Sequence, residues 1–140
     1  MKKILVIDDD LDFLNVISEV LEHKSYDVRT VSAPNDVYPA FFDYQPDLVI
    51  LDVHLQDANG KDMSRELKNF NTTNTPVLLC TADQSLKDDY SDSNAEGILL
   101  KPFKEKELFI LIKNILNMAK KSSLKRSTPS NVIYLKKVAS

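Results

Sequence analysis

Residues 46–60 read PDLVILDVHLQDANG, and this stretch decides the fold. Leu48, Val49, Ile50 and Leu51 form an unbroken apolar run that stops at Asp52, the pattern of a strand buried on both faces, as in a parallel sheet. Asp52 then stands at a strand's carboxyl end. In open α/β sheets ligands bind along that edge, so the carboxylate is a site candidate. An Asp opening a turn or capping the next helix is the competing reading, and the other strands must decide between them.

Working outward, Lys3 to Ile7 reads as a short buried strand ended by Asp8-Asp9-Asp10. Three adjacent carboxylates repel one another, so their joint ionisation calls for a cation, solvent or a helix amino terminus. Leu14, Ile17, Val20 and Leu21 recur at helical spacing between Leu11 and Lys24, with Asp10 or Asp12 available as cap. Asp27 to Val31 is a second strand. The following helix, within 34–43, contains Pro39, which forces it either to begin late, near Asp36, or to kink.

Beyond the central stretch, Met63, Leu67 and Phe70 describe a short one-sided helix, and Pro76 leads into a strand at Val77–Thr81. Residues 84–94, QSLKDDYSDSN, offer only Leu86 and Tyr90 to a core, so any helix there should be short and weakly held. Ile98 to Leu100 form a fifth strand ending at Lys101-Pro102-Phe103. A last helix runs from Glu105 to about Ala119. Residues 120–140 are basic and Ser-rich, which reads as a disordered tail or linker after a domain at 1–119, and Val132 to Leu135 form an isolated apolar tetrad. Strand and helix alternate five times. The order predicts an α/β fold with a doubly wound five-stranded parallel sheet, flavodoxin-like, strand order 2-1-3-4-5.

Composition narrows the function classes. At 140 residues, 43% apolar and 28% charged, the chain is one domain with a core of ordinary size. No apolar run approaches the roughly 18 to 20 residues that span a bilayer, and Ile4–Ile7 is too short for a signal peptide. A cytoplasmic protein with no membrane partner is expected. The net charge of −3 divides unevenly: residues 1–119 carry 12 basic and 21 acidic groups, while 120–140 carry six basic groups and no acid. So acidic a body disfavours direct nucleic-acid binding. Cys80, inside an apolar strand, reads as a small core residue. His23 and the two glycines, Gly60 and Gly97, supply no triad, zinc set or phosphate-binding Gly-rich loop.

In the expected topology one rim gathers Asp8, Asp9, Asp52, Thr81 and Lys101. Carboxylates of this kind suit Mg²⁺, which is held by one or two carboxylates plus waters and substrate oxygens. A lysine beside them offers a counter-charge to a transferred phosphoryl group, and a threonine hydroxyl can bond one of its oxygens. Asp52, alone on the central strand, is the candidate nucleophile toward phosphorus.

ILVIDDD (4–10), PDLVILDVHLQDANG, PVLLCTA (76–82) and LLKPF (99–103) stand in an order and spacing that resembles the receiver domain of bacterial two-component response regulators, over residues 2 to about 119. The resemblance implies that Asp52 takes a phosphoryl group from a phosphohistidine of a sensor histidine kinase or phosphotransfer protein, and that the domain is a switch rather than an enzyme. It implies a Mg²⁺ site of Asp8, Asp9, Asp52 and the His54 backbone carbonyl, with Thr81 and Lys101 on the phosphoryl oxygens and a cis Lys101–Pro102 bond. A downstream output protein or domain would read the result. Three departures stand out. Gln56 replaces the usual proline, so a looser loop is expected behind Asp52. Ile98 replaces the switch aromatic, and the 82–100 connection is short and polar. His54 and Asp83 occupy positions that tune acyl-phosphate hydrolysis in that family. Two other readings are a receiver-like interaction module that takes no phosphate, and a haloacid-dehalogenase-like phosphatase, whose DxDx[TV] motif Asp8–Asp12 does not complete.

Overall fold

A computed structural model describes residues 1–70 and 74–126 of the chain, with side chains described as far as Lys121. Five strands, β1 (Lys3–Ile7), β2 (Asp27–Val31), β3 (Leu48–Asp52), β4 (Val77–Thr81) and β5 (Gly97–Leu100), pair in parallel in the order β2-β1-β3-β4-β5. This is the predicted order. β3 lies in the middle, and each of its five residues is buried because strands flank both edges and helices cover both faces.

Strand alternation divides the core into two layers. Ile4, Val6, Leu48, Ile50, Leu78 and Leu99 face α1 (Leu11–His23) and the last helix, α4 (Glu105–Arg126). Leu5, Ile7, Val49, Leu51, Val77 and Leu79 face α2 (Val37–Tyr44) and α3 (Gly60–Phe70). α1 is capped by Asp10, whose Oδ1 accepts from the Phe13 amide at 3.2 Å, and buries Leu14, Ile17 and Leu21. α2 begins late. A 3₁₀ turn at Pro34–Asp36 precedes it, which leaves Pro39 in the first helical turn, where a missing N–H costs nothing.

Three expectations change. The connection between β4 and β5 contains no α-helix: residues Gln84–Leu86 and Ser91–Ser93 form 3₁₀ turns. Asp83 accepts from the Ser85 amide at 3.0 Å and Ala95 donates to Ser93 Oγ at 3.2 Å, so side chains take backbone groups that a helix would use. α4 does not stop near Ala119 but continues to Arg126, since Lys120 and Lys121 toward a helix carboxyl end are favoured by its dipole. Phe70 does not face the core. It is 58% exposed and meets the rings of Tyr38 and Phe42 edge-on. The tail from 127, including Val132–Leu135, lies outside the described residues.

Gly60, the first residue of α3, is fixed by a close approach rather than by a turn. A Cβ there would lie 2.2 Å from the Asp52 carbonyl oxygen and 2.7 Å from the Val53 Cα, while the Gly60 amide donates to the Val53 carbonyl at 2.7 Å. Backbone cannot yield as a side-chain tip does. Gly60→Ala is therefore expected to cost about 3 kcal/mol, the upper part of the range for overpacking, read as a lowered urea midpoint. A loss below about 1 kcal/mol would mean that α3 can slide away from β3.

Candidate functional site

Parallel pairing brings the carboxyl ends of β1, β3, β4 and β5 to one rim. Asp8 and Asp9 follow β1, Asp52 ends β3, Thr81 ends β4, and Lys101 follows β5, its amide donating to the Thr81 carbonyl at 2.8 Å. One carboxylate oxygen from each of Asp8, Asp9 and Asp52 lies within 4.8 Å of the others. Asp8 and Asp52 are buried, Asp9 is exposed.

Each acid is held differently. Asp8 Oδ2 accepts from Lys101 Nζ at 2.6 Å, and its Oδ1 from the Asp10 amide at 2.9 Å. Asp9 Oδ2 accepts from the Gln56 amide at 3.0 Å, which ties the first strand's end to the loop behind Asp52. Asp52 accepts from the His54 amide but has no ammonium of its own. Burial first, then the charge of Asp8, pushes the Asp52 carboxyl up to about 6, against the opposing pull of Lys101 and the His54 amide. Burial works to lower the Lys101 ammonium, but its hydrogen bond to Asp8 and the charges of Asp8 and Asp52 outweigh that and hold it above its usual value. Its Nζ also lies 4.0 Å from the centre of the Phe13 ring.

Thr81 is fully buried, and its Oγ1 accepts from the Asp83 amide at 3.1 Å, which leaves the hydroxyl proton to donate. His54 Nε2 lies 3.1 Å from Asp83 Oδ2, joining the loops after β3 and β4. Hydrogen bonds from Ser85, and then His54, hold the Asp83 carboxyl below its ordinary range. Burial pushes the Cys80 thiol up to about 12, which fits its place in the core.

A parallel sheet in the order 2-1-3-4-5 has known counterparts. The family model for the response regulator receiver domain matches residues 4–113. The chain belongs to the response regulator receiver family. The transcriptional regulatory protein CpxR of Klebsiella pneumoniae subsp. pneumoniae is 33% identical over 130 residues, covering 91% of this chain and 55% of that protein. The DNA-binding response regulator MtrA of Mycobacterium tuberculosis is 32% identical over 109 residues, covering 76% and 47%. This chain thus spans about half the length of those relatives. Among solved structures, a CheY-like receiver domain protein from Methanospirillum hungatei matches with a TM-score of 0.80 and 22% identity, over 87% of this chain and 98% of that one, a likeness of fold. Among the described residues, no helix is long and apolar enough to cross a membrane.

The receiver's rim gathers all the residues singled out from the sequence, and its Lys101–Pro102 bond is cis. The departures look different in three dimensions. The loop behind Asp52 is not loose: His54–Leu55 pairs antiparallel with Ala58–Asn59, and Gln56 turns the corner at φ 53°. Proline, with φ fixed near about −65°, could not occupy that corner and could not donate to Asp9. Ile98 is half-buried and packs on the layer that also receives Leu86, Tyr90 and Ala95. Two contributors went unnoticed in the sequence. Neither the Gln56 amide on Asp9 nor the Phe13 ring beside Lys101 leaves a signal there, since one uses main chain and the other reads as helix stripe.

The raised Asp52 carboxyl makes stability depend on pH. Between about 4 and about 6 the unfolded chain releases this proton while the folded receiver keeps it, so stability falls as pH rises through that window. Relative to an Asp52→Asn variant, the wild type is expected to lose about 2 to 3 kcal/mol between pH 4 and pH 8 in urea unfolding without divalent cations. A constant difference across that range would overturn the assignment of the proton to Asp52.

Proposed function

We propose that this receiver is a phosphorylation-dependent switch in which Asp52 accepts a phosphoryl group from a phosphohistidine of a sensor histidine kinase or phosphotransfer protein. The observation that carries this reading is one buried carboxylate on the central strand, beside two further acids, of which Asp8 is paired with the Lys101 ammonium. The donor set fits Mg²⁺: three carboxylate oxygens that lie close together, with the charges of Asp8 and Asp9 raising Asp52; the His54 backbone carbonyl would be a further ligand. When bound there, the ion neutralises charge on the acids and on the phosphoryl oxygens.

An Asp52 carboxylate oxygen attacks phosphorus; the new P–O bond forms as the P–N bond to the donor imidazole breaks, and the electron pair returns to that nitrogen. Lys101 attracts the equatorial oxygens as they gain charge. The Thr81 hydroxyl, already positioned by the Asp83 amide, donates to one of them. The added charge of about −1.5 to −2 then biases the surface that an output protein or domain reads. The receiver turns over no substrate beyond slow loss of its own phosphoryl group, works in the cytoplasm and binds no nucleic acid directly.

Incubation with acetyl phosphate and Mg²⁺, followed by intact mass, tests this reading. A gain of about 80 Da, one phosphoryl group, is expected. No gain would leave an interaction module that takes no phosphate, and phosphomonoester turnover that survives Asp52→Asn would point to a phosphatase.

A further inference from the structure

The 82–94 connection is fastened at both ends to elements that touch the site, and the fastening closes a ring. From Asp52 one route passes to Gly60, whose backbone lies against the Asp52 carbonyl, and to its neighbour Lys61. Lys61 Nζ, mostly buried, pairs with Asp92 Oδ1 at 3.0 Å and reaches the Asp89 carbonyl at 3.4 Å. Arg65 Nη1, one turn on, donates to the Asp92 carbonyl at 2.9 Å. The other route returns from the 3₁₀ turns to Asp83, which joins Thr81 through its amide. Lys61 also holds the Asp92 carboxyl below its ordinary range.

We infer that Lys61, through Asp92, is a positioning residue that couples occupancy of Asp52 to the 82–94 connection, so that this connection and the first turn of α3 respond to phosphorylation as one unit. The inference rests on the proposed phosphoacceptor role. Turning the Thr81 hydroxyl toward a phosphoryl oxygen pulls on the Asp83 amide and hence on the Gln84–Leu86 turn. The connection has no α-helix to absorb that pull. Leu86 and Tyr90 are only half-buried, so the polar fastening to α3 carries much of the hold. The two states are the fastened and the released connection.

Amide exchange with and without acetyl phosphate and Mg²⁺, with intact mass taken on the same samples, tests the coupling. In the wild type, labelling should change exchange in 82–94 and in 60–64 together, by at least about threefold in rate. Lys61→Gln and, independently, Asp92→Asn should still gain one phosphoryl mass but lose the change in 60–64, and Lys61→Arg should restore it. A change in 60–64 that persists in both variants, or a wild-type response confined to β5 and α4, overturns the inference alone. Absence of the mass gain overturns it together with the phosphoacceptor reading.

Discussion

Asp52→Asn is expected to abolish the phosphoryl gain and at the same time to yield a more stable protein at neutral pH. The two effects have one cause. Asp52 is 8% exposed, lies beside buried Asp8, and has its carboxyl pushed up to about 6. Ionising it at pH 7 costs the fold about 2 to 3 kcal/mol, a cost that an amide of the same shape does not carry. The variant should therefore unfold at higher urea than the wild type without Mg²⁺, and added Mg²⁺ should narrow the gap by stabilising the wild type more. A carboxylate poised in this way weakens the fold when it ionises, and strongly shifted carboxylates gather at functional sites. Undiminished labelling of Asp52→Asn would mean another nucleophile. Equal stability of the two proteins would mean that the Asp52 charge is solvated well enough to be harmless.

Lys101→Met acts in the opposite direction. The Asp8 side chain is 2% exposed, and among the described residues its ammonium partner is Lys101 Nζ at 2.6 Å. Removing one partner of a buried pair leaves the other charge uncompensated, at about 3 to 5 kcal/mol; the Lys101 side chain is 20% exposed, so the lower end of that range applies. Mg²⁺ should recover part of the loss, because it can neutralise the acid that the lysine leaves behind. Labelling of Asp52 should continue but about a hundredfold more slowly, the scale for removing one preorganised electrostatic contact. Urea unfolding with and without Mg²⁺ measures the first effect and the time course of mass gain the second. A stability loss under about 1 kcal/mol would place Asp8 in better contact with solvent than its burial indicates.

The rim was legible in the chain because four of its five residues close apolar runs, Asp8 after Ile4–Ile7, Asp52 after Leu48–Leu51, Thr81 after Val77–Cys80 and Lys101 after Ile98–Leu100, and Asp9 directly follows Asp8. In a parallel sheet every such run points the same way, so its last residue has one place to go. Helix limits were less legible. Residues 84–94 were weak helix by composition, yet their resolution into two 3₁₀ turns depended on Asp83 and Ser93 taking local backbone groups. The end of α4 at Arg126 was hidden by serines that suggested a linker. Gln56 was misread for a related reason: a missing proline suggested slack, whereas its left-handed backbone and amide bond to Asp9 tie the loop down.

By itself the sequence determined the strand order class, the five rim residues and the acidic character of the body, because periodicity and charge are properties of neighbours along the chain. Tertiary structure alone decided that Lys101 binds Asp8 and that Asp52 bears the raised carboxyl. It also decided that Gly60 must lack a Cβ and that Lys61 fastens the 82–94 connection. Those facts depend on distance and burial between residues that are not neighbours along the chain, and only the folded chain sets either one.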